Sequence, residues 1–155
     1  MSETVAYPES SDARVGAPVV RRLPLIEAGA RWDEIAPILA RAMAEGPAYQ
    51  TIDDLQADVA AEMAHIWTAH EDDGRVAMAM AVKLVQRPQM RVCFIELLAA
   101  AEPGAGAFAR FYEPALAELT TWARTHGCSV IEATGLPRFA ELSGWRSCAT
   151  IWKEI

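Results

Sequence analysis

Cysteine, basic charge and long apolar runs are all scarce in this sequence, and each scarcity closes off a class of function. Its three cysteines, Cys93, Cys128 and Cys148, are an odd number at wide spacings, with no CxxC pair and no metal-ligand pattern around His65, His70 or His126. That usage excludes a disulfide scaffold and a zinc ribbon, and it fits a reduced, cytosolic setting. Only 14 Lys and Arg stand against 21 Asp and Glu, a net charge of -7. A nucleic-acid partner is therefore not expected, because affinity for a phosphate backbone rests on basic side chains that displace counterions. The longest apolar stretches, Val76 to Val82 and Val92 to Ala101, are too short to span a bilayer, and Glu96 interrupts the second. No membrane partner is expected, and the protein should be soluble. The first residues, MSETVAYPESSD, carry acidic side chains and no apolar core of a secretory signal.

What is present is a chain of 155 residues, 52% hydrophobic and 23% charged. One globular domain of this size buries roughly 70% of the surface its unfolded chain exposes. Residues 1–20 mix Ser, Pro, Gly and charge without a sustained period and read as an extended arm; residues 21–155 read as a single domain. The run VVRRLPLIEAG suits an edge strand or an extended lead-in, because Pro24 has no ladder donor. Trp32, Ile35, Ile38, Leu39 and Met43 recur at helical spacing up to Gly46-Pro47, with Pro37 tolerable only within the first turn. Thr51 is placed to cap a second helix with the apolar stripe Ile52, Leu55, Val59 and Met63, and Asp53 and Asp54 sit near the positive end of its dipole.

Three strand-like segments follow, AHIWTAHE, RVAMAMAVKLV and MRVCFIELLAA, joined by short turn-rich breaks that predict an antiparallel meander. From Phe108 to Ala123 the 3.6-residue period returns, giving the longest helix, with Gly127 as its C-cap and a kink or restart expected at Pro114. SVIEAT then reads as a buried strand, PRFAEL as a short helix and SCATIWKEI as the closing strand. The sum is a mixed α/β fold: an antiparallel meander followed by a strand-helix-strand crossover, with helices on both faces of the sheet.

The stretch richest in chemistry runs from Glu96 to Ala107. An apolar strand leads into a turn of very small residues, Gly104, Ala105, Gly106 and Ala107, and then directly into a helix. Amide N–H groups there lie unpaired at the positive end of the dipole, and small side chains let an anion reach the backbone. The same run also suits an ordinary strand-to-helix turn. Glu96 is the candidate general base: alternation along Val92, Phe94, Glu96 and Leu98 puts it on an otherwise apolar face, where a carboxylate is costly unless paired or functional. The plain alternative pairs it with Arg91 or Arg75, or turns it to solvent. By parity, His65 and His70 lie on opposite faces of the preceding strand, so at most one shares a cleft with Glu96. The five tryptophans, Trp32, Trp67, Trp122, Trp145 and Trp152, read as core, Cys128 as a small buried hydrophobe, and Asp53, Asp54, Asp58 and Glu62 as a solvated face or an attractor of a cationic amine.

This order of elements, with a meander feeding a small-residue loop and a long helix, resembles the Gcn5-related N-acetyltransferase (GNAT) superfamily, in particular small acetyltransferase-like proteins encoded by bacteriophages and prophages. The segment Trp122-Ala123-Arg124-Thr125-His126-Gly127-Cys128, the turn Gly135-Leu136-Pro137-Arg138-Phe139 and Ser143-Gly144-Trp145-Arg146 carry the closer likeness, which spans residues 20–155. The resemblance implies acetyl-CoA as cofactor, with its pyrophosphate on the amides of Gly104, Ala105, Gly106 and Ala107. It departs from the family in two places. Ala101 stands where the family's loop begins with Arg or Gln, and Ser129 to Ile155 contains no Tyr to serve as general acid for the leaving thiolate.

Two readings follow. In the first, amides near Leu98 to Ala100 polarise the thioester carbonyl of an acyl-CoA, and a small-molecule or protein amine deprotonated by Glu96 attacks it. In the second, the domain is a catalytically silent scaffold, virion-associated or phage-encoded, whose arm at residues 1–20 orders on a phage structural partner.

Overall fold

The computed structural model describes residues 19–45, 49–104 and 106–133. Five strands form one sheet in the order β1 (Val19–Arg22), β2 (His65–His70), β3 (Val76–Gln86), β4 (Arg91–Ala100) and β5 (Cys128–Ala133). The first three pairings are antiparallel and the last, β4 with β5, is parallel. Helices α1 (Leu25–Ala30), α2 (Trp32–Met43) and α3 (Ile52–Ala60) come before β2, and α4 (Ala107–Thr125) makes the crossover from β4 to β5.

Alternation along β3 divides the core. Ala79 and Ala81 pack with Ile35 and Leu39 of α2 and Leu55 and Val59 of α3, whereas Met80 and Val82 pack with Leu119 and Ala123 of α4. The expected mixed α/β architecture with helices on both faces is the one observed, and the meander matches the three strand-like segments. Thr51 caps α3 as expected: its hydroxyl accepts from the Asp54 amide and the Asp54 carboxylate accepts from the Thr51 amide.

Three local expectations are corrected. The lead-in forms an edge strand only to Arg22; Leu25–Ala30 is helical, because Pro24 lies just ahead of the first turn, where a missing N–H costs nothing. Pro37 sits beyond the first turn of α2, yet the helix continues to Met43, and the carbonyl it deprives belongs to the exposed Asp33. Pro114 neither breaks nor restarts α4, since the carbonyl left without a donor is that of Arg110, also exposed. The short helix at PRFAEL and the closing strand lie outside the described residues, as do residues 1–18 of the expected arm at residues 1–20 and Trp145, Cys148 and Trp152; Val19 and Val20, assigned to that arm, belong to β1.

Candidate active site

Val82 pairs with Ile95 and Ala81 with Leu97, so Glu96 is the extra residue of a β-bulge in β4. A bulge shifts the alternation by one. Ile95 and Leu98 therefore both pack on the α4 side, while Leu97 packs against the α2 and α3 core. Leu98 thus does not share a face with Glu96, and the simple alternation expected along β4 fails at this point.

The surroundings of Glu96 are also not apolar. Its Oε1 accepts a hydrogen bond from Gln50 Nε2 at 2.6 Å, and its Oε2 lies 3.3 Å from Lys83 Nζ. Lys83 in turn donates to Asp58 Oδ2 on α3 at 2.9 Å. Glu96, Lys83 and Asp58 side chains retain only 20%, 25% and 29% of their exposure, so the cluster is sheltered. Among the described residues Oε2 of Glu96 is buried without a hydrogen bond, since the Lys83 ammonium is within ion-pair reach but not in hydrogen-bonding geometry with it. Burial works against the charge on Lys83, yet the Asp58 hydrogen bond and the field of Glu96 outweigh it and hold its pKa above that of an ordinary lysine. The arginines considered as partners are engaged elsewhere: Arg91 donates to the His126 carbonyl at 2.8 Å and Arg75 to Asp73 at 2.6 Å.

Beyond β4 the chain turns through Gly104, at φ +80°, and Gly106, at φ +73°, which caps α4. Such φ values favour glycine. No atom lies within 4 Å of where a Cβ would stand on either residue, so the backbone borders open space. Among the described residues, the amides of Gly106 and Ala107 have no acceptor, as the start of a helix requires. Ala105 is outside the described residues. Phe108 lines a small apolar crevice with Leu98, Ile95 and Tyr112 on the α4 face of the sheet. On the loop's other flank a depression of about 150 Å³ is bordered by Ala107, Glu102, Arg75 and Arg110, the last pairing with Glu71 at 3.0 Å.

The Ala101 amide donates to the Ala77 carbonyl of β3 at 2.8 Å. Since backbone donors alternate along a strand, the amides of Leu98 and Ala100 point to the opposite edge of β4. On that edge the described ladder with β5 ends at Ile95 and Ala133.

No family model matches the sequence, and no curated protein resembles it at the sequence level. Solved structures do resemble it. A ribosomal-protein-alanine N-acetyltransferase from Brucella melitensis superposes with a TM-score of 0.63 at 15% identity, covering 90% of this chain and 100% of that one. Glucosamine-6-phosphate N-acetyltransferase from Arabidopsis thaliana gives 0.60 at 13%, covering 89% and 97%. An aminoglycoside acetyltransferase from an uncultured soil metagenomic sample, solved with sisomicin, gives 0.60 at 7%, covering 90% and 97%. The chain has the GNAT fold.

Within this GNAT fold the structure brings Glu96 together with two groups that the sequence reading did not single out, Gln50 and Lys83, and with Asp58, which was read as part of a solvated face or an attractor of a cationic amine. A signal for Lys83 existed, since a single cation inside the apolar run Val76–Val85 needs a partner. His65 instead packs edge-on against Trp122, with ring centroids 5.0 Å apart, and burial lowers its pKa. His70 is tied to Thr68 at 2.6 Å and lies 3.2 Å from Arg31. Trp32 and Trp67 are buried in the core as read. Cys128 is half-buried, while Cys93 is fully enclosed. Among the described residues no helix is long and apolar enough to cross a membrane.

Proposed function

We propose that this protein is an acyl-CoA-dependent N-acyltransferase acting on a small-molecule or protein amine, with Glu96 as general base. The observation that carries the reading is a juxtaposition: a sheltered carboxylate stands in the strand that feeds a turn whose glycines, Gly104 and Gly106, border open space. The turn suits a pyrophosphate, because among the described residues the amides of Gly106 and Ala107 have no acceptor and its two glycines border open space. Acetyl-CoA, once bound, supplies an activated thioester carbonyl.

The protein's own part is alignment and proton handling. The outward amides of Leu98 and Ala100 are placed to receive charge developing on the carbonyl oxygen. Glu96 takes the proton from the acceptor amine, directly or through water, as the nitrogen bonds to the carbonyl carbon and the carbon–sulfur bond breaks. The departing thiolate takes a proton from solvent or from a residue outside those described.

The test is thermal. Acetyl-CoA at one hundred times its dissociation constant stabilises the native state by about 2.7 kcal/mol and raises the melting temperature. An unchanged melting temperature removes the transferase reading. It would instead favour the silent scaffold of phage or prophage kinship, with its partner held by residues 1–20, which Ala101 in place of Arg or Gln also favours. The acceptor is a separate question, because one fold carries many substrates.

A further inference from the structure

The cluster around Glu96 contains two carboxylates and one cation. Lys83 lies between them, hydrogen-bonded to Asp58 at 2.9 Å and only ion-paired to Glu96 at 3.3 Å. Glu96 is held independently by Gln50, so it does not need Lys83 to keep its place. Two other charges on neighbouring elements are committed elsewhere: Arg41 of α2 to the Ala100 carbonyl, and Glu132 of β5 to Arg87 at 3.1 Å. Among the described residues one negative charge is thus left over in the cluster, and one buried carboxylate oxygen lacks a hydrogen bond.

We propose that Lys83 is a positioning residue that stands in for the acceptor's ammonium at Glu96 and passes wholly to Asp58 when a cationic acceptor arrives. The inference rests on the transferase reading for its biological meaning, but the exchange of cations is a property of the cluster alone. A buried carboxylate left bare in the empty site would be costly, whereas one loosely covered by a tethered ammonium is both sheltered and available. Asp58 gives that ammonium a place to go, which makes displacement inexpensive.

The test follows carbon-13 signals of the Glu96 carboxyl and the Lys83 side chain in the full chain near neutral pH while n-butylammonium is added, with n-butanol as the neutral control. Both sets of signals should move together with the ammonium and stay still with the alcohol. Lys83→Met should bind the ammonium about two- to fivefold more tightly, as expected when a competing ion pair of this kind is removed. Lys83→Arg keeps the cation and preserves the fold if Lys83→Met does not. Its fork spans both carboxylates, so it should bind the probe more weakly than the native protein. Movement of Glu96 with Lys83 stationary, or unaltered probe affinity in whichever variant folds, overturns the proposal. A null result with acetyl-CoA stabilisation intact sinks only the exchange; the reverse result sinks only the transferase reading.

Discussion

Lys83 and Glu96 are not direct register partners, since Lys83 pairs with Phe94, yet their charged groups come within 3.3 Å because Glu96, two residues beyond Phe94, shares its face toward α3. The charge relation between the strands is thus a diagonal one across the sheet, and it puts the proposed base where a helix and a strand both supply partners.

Removing that charge without changing shape isolates its role. Glu96→Gln should lower acetyl transfer about 100- to 10,000-fold, the usual worth of a general base. The rise in melting temperature with acetyl-CoA should persist. Loss of that rise would make Glu96 a structural residue.

The turn can be tested separately. Gly106→Ala meets no neighbouring atom, so its cost comes from the backbone at φ +73°, about 1–2 kcal/mol for a left-handed non-glycine residue. The variant should melt earlier and gain less from acetyl-CoA. A normal gain would show that the turn does not hold the nucleotide.

Leu55 is fully buried on α3, the same helix that carries Asp58. Leu55→Ala should cost about 2–5 kcal/mol, read from chemical denaturation. A cost near zero would contradict the packing.

Burial first, then Arg22 and His126, depresses the pKa of His65, and burial first, then Arg31, depresses that of His70 against an opposing Gly74 hydrogen bond. Each therefore takes up its proton more readily in the unfolded chain. Stability is complete above about pH 6.5 and is lost as pH falls through the lower native values. The urea midpoint should be lower at about pH 5.5 than at about pH 7.5, before the bonded carboxylates of Glu34 and Glu71, whose pKa values are lowered, begin to protonate. A flat midpoint across that interval contradicts the assignment.

Cys93 is enclosed, and burial, with Cys128 nearby, pushes its pKa up to about 12. The native protein should hide at least this thiol from dithionitrobenzoate and release it on unfolding. Full reaction of all three cysteines before unfolding would refute the enclosure.

Much of this was legible in the sequence wherever a local signal decides the structure. Thr51 and Asp54 announce a cap, the turn residues mark the meander, and the apolar period from Phe111 to Ala123 fixes the inner face of α4. Leu25–Ala30 was not legible, because six residues are too few to display a period. The site was half legible. Glu96 stood out as a charge in an apolar strand, and its face follows alternation from Phe94, but the register slip against Ala81 and Val82 that moves Leu98 to the other face is decided between strands. Gln50 and Asp58 join it only through tertiary packing, which no spacing along the chain encodes.

Ala79 and Ala81 are wholly covered by α2 and α3, and their methyl groups set how closely those helices lie on the sheet. A bulkier residue at either position would act as a wedge, lifting α3 with Asp58 and drawing Gln50 away from Glu96. Substitutions among these alanines should therefore register as changes in acceptor handling, although neither side chain can touch the acceptor.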